Sequence, residues 1–270
     1  MLARVIKKLS KIAKIIWLFF LDLIFPIECL GCGHEGVWLC DDCFKNIKLK
    51  GHQYCLHCKK ENDFGQFCPP CRIIYNLDGV WIAALYDDNL VSQAIKSLKY
   101  HFVSGLAGDL SRLMISHVDK MLGPSHNLKS GLASGLNWRE FNLAKDLPGI
   151  ILNFSESLLI PVPLSGKRQR WRGFNQAELL ARAVSCNYGL ALDSKNLVRT
   201  KHKKPQAKLD EIHRQENIKD CFNWQGENLN KQNIILIDDV VTTGATLNEC
   251  AKVLKQAGAG EVWGLVVAKG

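Results

Sequence analysis

Eight of the eleven cysteines fall between Cys29 and Cys71, as four Cys-x-x-Cys pairs. Two-residue spacing lets both thiolates of a pair turn toward one ion, and two pairs complete a tetrahedral Zn2+ shell. Cys29, Cys32, Cys40 and Cys43 make one such set, and Cys55, Cys58, Cys68 and Cys71 make a second. Four thiolates leave no coordination position for water or substrate. Both sites are therefore expected to be structural, with metal binding supplying much of the folding energy of a module this small. Redox disulfides, or the decay of one site, are the alternatives. His34, His52 and His57 are expected to be exposed rather than ligating, and Cys186, Cys221 and Cys250 to be small core residues. Adjacent pairs of this kind suit a reducing cytosol better than a secreted disulfide framework.

The 270 residues make about two domains. Residues 1–27 read as a basic amphipathic helix, 28–75 as a double zinc ribbon, and 76–270 as an α/β domain in which 123–146 is a loop or insertion. The amino terminus imitates a targeting signal, with Arg4, Lys7, Lys8, Lys11 and Lys14 before the apolar run from Ile15 to Leu21. No small-x-small cleavage site follows, Asp22 and Pro26 interrupt the run, and it is too short to span a bilayer. Two readings of the helix stay open: docking on the protein's own body, or lying on a membrane surface. The expected location is cytoplasmic, with a place at the inner membrane face if the helix binds lipid.

Beyond Leu77 the pattern alternates. Val80 to Tyr86, Leu158 to Val162, Asn233 to Ile237 and Val262 to Ala268 read as strands. Leu90 to Tyr100, Leu106 to Leu122, Asn175 to Ala183 and Ala245 to Ala257 read as helices. Alternation of this kind predicts a parallel sheet with crossover helices. Gly123 to Asn137 is rich in Gly, Ser and Asn, and Arg199 to Asn217 is strongly polar, so both read as loops.

The formal net charge is +9. Residues 161–217 carry a net +7 and residues 1–25 a net +4, which leaves the remainder slightly acidic. Such a balance favours anionic partners, whether phosphate, nucleic acid or acidic lipid, without choosing among them.

The segment Ile234-Ile235-Leu236-Ile237-Asp238-Asp239-Val240-Val241-Thr242-Thr243-Gly244-Ala245-Thr246 carries the most chemistry. Four apolar residues predict a buried strand, two carboxylates stand near its end, and a Thr/Gly turn opens a helix. Ligands of open α/β sheets bind at that edge. Amides and hydroxyls from Thr242, Thr243, Gly244, Ala245 and Thr246 can converge on a phosphate, aided by the helix dipole. Carboxylates would repel that phosphate, so Asp238 and Asp239 are expected to accept from vicinal hydroxyls of the same ligand. A sugar monophosphate satisfies both halves; a strand ending in an acidic turn before an ordinary helix is the plainer alternative.

This segment resembles the phosphoribosyl pyrophosphate motif of type I phosphoribosyltransferases. The resemblance assigns Asp238 and Asp239 to the ribose hydroxyls and residues 242–246 to the 5′-phosphate. A second segment, Pro161 to Gln176, and the spaced run Arg199, Thr200, Gln206, Leu209, Arg214 and Asn217 resemble the ComF competence proteins, as does a cysteine module ahead of such a domain. The likeness covers nearly the whole chain and departs from the family pattern at Gly123 to Asp146. It implies a type I phosphoribosyltransferase-like parallel sheet with flanking helices. In such a fold the loop after the first strand faces the same ligand edge, so this basic stretch is expected as a loop that brings Lys167 and Arg168 to a pyrophosphate, with Arg170 and Arg172 nearby; a solvated basic face, or a nucleic-acid backbone, would use the same residues. Arg199 to Asn217 matches in position the flexible loop that closes over the ligand in the enzymes.

Three functions are consistent with these readings. One is a ComF-like protein of DNA uptake that binds a phosphoribosyl ligand and handles single-stranded DNA, with Lys201, Lys203 and Lys204 adding to the basic surface and the DNA-uptake machinery as a partner. Another is an active phosphoribosyltransferase, a pentosyltransferase using phosphoribosyl pyrophosphate with Mg2+; its catalytic residues are not identified. The third is a sensor of phosphoribosyl compounds or nucleoside monophosphates without turnover. Glutamine-dependent ammonia transfer is excluded as an expectation, since zinc-type cysteines occupy the amino-terminal region where that chemistry needs a nucleophile.

Overall fold

The computed structural model describes residues 26–122, 154–200 and 218–270. The expected basic helix up to residue 25, the loop at 123–146, and Lys201, Lys203 and Lys204 lie outside the described residues. The chain divides into two compact units, Met1–Ile47 and Lys48–Gly270.

In the first unit, the described part from Pro26 is a pair of cysteine knuckles. The Cys29 amide donates to His34 O at 2.8 Å and the Gly33 amide to Cys29 O at 2.9 Å, which curls the first knuckle. Helix α1 (Asp41–Asn46) includes the second, started by the Cys40 side chain accepting from the Cys43 amide. Its acidic first turn and Lys45 in the last complement the helix dipole.

The second unit begins with short strands β1 (Gln53–Tyr54) and β2 (Glu61–Asn62), paired antiparallel, and helix α2 (Pro69–Arg72). A five-stranded parallel sheet follows, in the order β3 (Gly79–Leu85), β9 (Val262–Lys269), β8 (Ile234–Val241), β4 (Leu158–Pro161), β5 (Ala191–Leu192). Helices α3 (Asn89–Tyr100) and α4 (Leu106–Leu122) follow β3. Between β4 and β5 lie α5 (Gly166–Arg172) and α6 (Gln176–Tyr188), and α7 (Ala245–Gln256) links β8 to β9. A two-stranded antiparallel sheet pairs β6 (Leu197–Arg199) with β7 (Phe222–Trp224). The strand and helix expectations hold to within a few residues at their ends except at α6, which runs on to Tyr188 at its carboxyl end.

Ile234 to Ile237 are fully buried because β8 is central and covered on both faces, as a continuous apolar run requires in a parallel sheet. The free edge of β3 is closed by the residues around the second cysteine set. Lys50 N donates to Ala83 O at 2.8 Å, Val80 N to Gly65 O at 2.9 Å, and Phe67 N to Asp78 O at 3.0 Å. The buried Gln53 amide spans Ile82, donating to its carbonyl at 3.2 Å and accepting from its N–H at 3.1 Å. Asp78, also buried, joins three elements: it accepts from Arg72 at 2.6 Å, Lys255 at 2.8 Å and the Val262 amide at 2.7 Å.

Two expectations need correction. The basic stretch after β4 was expected as a loop, yet it forms helix α5, capped by the Ser165 hydroxyl accepting from the Arg168 amide and closed by Gly173 in the left-handed region at φ +81°. Cys186 is exposed on α6, whereas Cys221 and Cys250 are buried as expected.

Candidate functional site

The two cysteine sets form separate clusters, each with all four sulfurs within 4.8 Å of one another. Cys32 Sγ lies 3.6 Å from Cys40 Sγ, and Cys58 Sγ 3.5 Å from Cys68 Sγ. Sulfurs on a tetrahedron with Zn–S bonds of about 2.3 Å stand roughly 3.8 Å apart, so both clusters fit the ion. Burial pushes the Cys29 thiol up, but amide hydrogen bonds from Cys40, Gly31 and Cys32 outweigh it and bring the thiol down to about 6. Cys55 is lowered to about 7 in the same way, burial being outweighed by the amides of Cys58, Cys68 and His57. Thiolates held by amides are ready ligands. His34, His52 and His57 are exposed, as expected.

The second constellation lies at the carboxyl ends of β4 and β8. These strands are neighbours, but the connection from β4 runs outward to β5 and that from β8 runs the other way to β9. Reversal of direction opens a crevice between the two following loops, where ligands of open α/β sheets bind. β4 stops pairing with β8 at Pro161 opposite Ile237, while β9 pairs with it as far as Val241 opposite Lys269. Asp238 and Asp239 therefore sit on the strand itself, just past the point where one neighbour has ended.

The two acids differ. Asp239 is 3% exposed, and its Oδ2 forms an ion pair with Lys99 Nζ from α3 at 2.9 Å. Asp238 accepts from the Asp239 amide at 2.9 Å. Its carboxyl is pushed well above the usual range, first by desolvation and then by the neighbouring Asp239, against the pull of Lys99.

Beyond them the chain turns at Gly244, φ +81°, into α7. No side chain caps the helix from position 244, and Thr243 Oγ1 accepts only weakly from the Ala245 amide at 3.3 Å. The first-turn amides thus face a crevice with Thr242 exposed and Thr243 and Thr246 half-buried. Glycine suits 244 through its left-handed backbone, and a Cβ there would come 2.5 Å from Leu56 Cδ2, so that side chain would have to shift. Leu56 stands between Cys55 and His57, so a residue of the second cysteine cluster packs directly beneath the turn.

Facing this strand end, α5 presents Lys167, Arg168 and Arg170 to solvent and turns Arg172 inward. Arg172 is 7% exposed and hydrogen-bonds to Gln176, while its Nε has no acceptor among the described residues. Burial lowers the Arg172 guanidinium, against the attraction of Asp239. Arg199 on β6 is lowered by burial too; its surroundings include Cys221, Arg168 and Asp238, and its guanidinium lies 5.4 Å from the Phe222 ring centre. Asn175 fixes the strand-to-helix passage by donating to Val162 O and accepting from the Ala177 amide, each at 3.1 Å. A ring of Lys99, Arg168, Arg172 and Arg199 around two carboxylates and an open helix start can hold a ligand that combines anionic groups with hydroxyls.

Residues 20–72 match the family model of the double zinc ribbon domain. Over 254 residues the chain is 32% identical to competence protein F of Haemophilus influenzae, covering 90% of this chain and 98% of that protein. The chain belongs to the ComF family. It is 31% identical over 175 residues to DNA utilization protein YhgH of Escherichia coli K12, covering 64% of this chain and 65% of that one. With competence protein ComFC of Bacillus subtilis it shares 37% identity over 102 residues, 37% of this chain and 39% of that one.

In this ComF chain Asp238 and Asp239 on β8, residues 242–246 at the start of α7, and Lys167, Arg168, Arg170 and Arg172 on α5 follow the carboxyl ends of two neighbouring strands. Lys99 on α3 and Arg199 on β6 join them without being expected there. Lys99 carries no local signal, since a lysine on the polar side of a helix looks the same whether or not an acid from a distant strand meets it. No helix among the described residues is long and apolar enough to cross a membrane.

Proposed function

We propose that the chain binds a 5-phosphoribosyl ligand in the crevice between β4 and β8 and serves DNA uptake by handling single-stranded DNA. The observation that carries the first half is the placement of Asp238 and Asp239 one strand-end away from the Gly244 turn, with uncapped helix amides beyond. Asp238 and Asp239 accept from the ribose hydroxyls, residues 242–246 donate to the 5′-phosphate, and Arg168 and Arg172 face a pyrophosphate, which Mg2+ accompanies. The names of the relatives, competence protein and DNA utilization protein, support the second half, together with exposed Lys167, Arg168 and Arg170 on α5.

Calorimetry with phosphoribosyl pyrophosphate and with nucleoside monophosphates tests the ligand. Wild type is expected to bind and Asp239→Ala to lose binding; no heat from either compound contradicts the assignment. For DNA, log K is expected to fall with log[salt] at roughly −0.7 per neutralised phosphate. Replacing Lys167, Arg168 and Arg170 with Ala should flatten that slope.

A second reading, transfer of the 5-phosphoribosyl group from phosphoribosyl pyrophosphate to a nucleobase or related acceptor with departure of pyrophosphate, is favoured by Arg172 and Arg199. Guanidinium groups withdrawn from solvent, Arg172 buried and Arg199 half-buried, stabilise a departing pyrophosphate more strongly than exposed ones. Pyrophosphate release in a screen of bases and amines would establish turnover.

A further inference from the structure

Three aromatic rings stand in the open beside the acid pair. Tyr100, the last residue of α3, is 57% exposed, Phe102 41% and Trp171 on α5 56%. They touch one another: Phe102 meets Trp171 edge-on at 5.0 Å between ring centres and 72° between planes, and Tyr100 meets Trp171 at 6.3 Å and 56°. Rings of this size are seldom left in water as a group.

Their support is specific. Phe102 holds φ +60°, a left-handed conformation that a bulky residue adopts only under strain. That backbone turns the chain after α3 so that Phe102 reaches Trp171 instead of the interior. Arg168, exposed, precedes Trp171 by one helical turn on the same side of α5, and exposed Lys167 and Arg170 share that short helix, so cations stand close to the rings. Tyr100 follows Lys99, whose ammonium is on Asp239. Tyr100 is also an electrostatic neighbour of buried Arg172, which itself neighbours Asp239, so the patch lies close to the residues of the crevice.

We infer that Tyr100, Phe102 and Trp171 form a stacking platform for unpaired nucleobases of a single-stranded nucleic acid. Flat aromatic faces bordered by arginines match a chain of flat rings joined by phosphates, and stacking accepts any base. An apolar protein segment would gain nothing from the cationic border. An acidic lipid surface also takes rings flanked by cations; binding to anionic vesicles that Trp171→Ala removes, with no preference for the base-bearing strand, would overturn the platform in favour of lipid. A free nucleotide offers the same ring and phosphate chemistry. The open, multi-ring surface favours a strand, in which several bases and phosphates are engaged together. This inference rests on the single-strand half of the function proposed above and is independent of phosphoribosyl binding.

The test compares an oligothymidylate with an abasic phosphodiester of equal length, by fluorescence anisotropy of a labelled end. Wild type is expected to bind the base-bearing strand about tenfold more tightly. Trp171→Ala should remove that preference while leaving abasic affinity, salt slope and phosphoribosyl pyrophosphate binding unchanged, and Trp171→Phe should retain most of it. Phe102→Gly, which relieves the positive φ and so keeps the fold, should lose part of the preference. Equal binding of both strands by wild type, or equal losses for both in Trp171→Ala, overturns the platform without touching the ligand crevice. Thymidine monophosphate binding with the same Trp171 dependence and an affinity equal to the strand's overturns the assignment to a strand. Failure of wild type to bind either strand overturns the single-strand reading itself.

Discussion

Lys99 Nζ sits 2.9 Å from Oδ2 of Asp239, joining α3 to the strand end that carries the acid pair across 140 residues of sequence. Asp239 is nearly fully buried, and Lys99, with Arg172 nearby, supplies its counter-charge.

Removing that charge should be costly. Lys99→Met is expected to destabilise the fold by about 2–4 kcal/mol, because a buried carboxylate loses its counter-charge. Asp239→Asn in the same chain should recover part of that loss. Denaturant melts of the two single variants and the double one give the coupling; additive effects would show that the pair is not energetically linked.

Asp238 makes a prediction about protons. Its carboxyl is raised in the free protein by desolvation and by Asp239. Hydroxyl donors favour the ionised form, so ligand binding should release a proton and affinity for ribose-bearing ligands should rise with pH until the carboxyl has ionised. Titrations in buffers of different ionisation enthalpy report the release directly. Asp238→Asn should abolish it.

Gly244→Ala is expected to weaken phosphate binding and to destabilise the chain, since φ +81° alone costs a Cβ-bearing residue about 1–2 kcal/mol. Leu56→Ala in the same chain removes the steric conflict but leaves the backbone strain, so rescue should be partial. Full rescue would mean that the contact, and not the conformation, fixes glycine.

His117 governs a pH dependence of stability. It is 1% exposed, and its Nε2 lies 3.2 Å from Gln53 Nε2, which donates to it. Burial first, then Lys120 and Lys50, push the imidazole down to about 4. The unfolded chain therefore binds a proton between about pH 6.5 and 4 that the folded one does not, so stability falls as pH falls through that window. By linkage the loss totals about 3 kcal/mol once pH is below 4. His117→Gln should flatten this part of the profile in thermal melts; an unchanged profile would remove His117 as its source.

Elemental analysis should find two zinc ions per chain. Cys55→Ser should reduce the count to one and lower the melting temperature of the sheet-bearing unit, because Gln53, Gly65 and Phe67 around that cluster close the β3 edge. A count near zero in a folded protein would contradict both sites.

What could be read from sequence follows from physical range. Ile234 to Ile237 announce a buried strand because burial on both faces needs no partner information. The strand's extension through the acids to Val241 does not show, since it depends on β9 continuing alongside. Helix α5 is hidden for another reason: seven residues with Trp171 as the sole large apolar one carry no periodicity, and only the Ser165 cap and Gly173 define its ends. The acid pair and the Thr/Gly turn are local and were legible, whereas Lys99, Tyr100 and Phe102 reach the same place through the packing of α3.

The crevice assignment is tested most directly by a crystal structure of the protein soaked with phosphoribosyl pyrophosphate and Mg2+. The account predicts the 5′-phosphate on residues 242–246 and both ribose hydroxyls within hydrogen-bond distance of Asp238 and Asp239. Ligand density elsewhere, or a phosphate bound at α5 with the acid pair untouched, would contradict it.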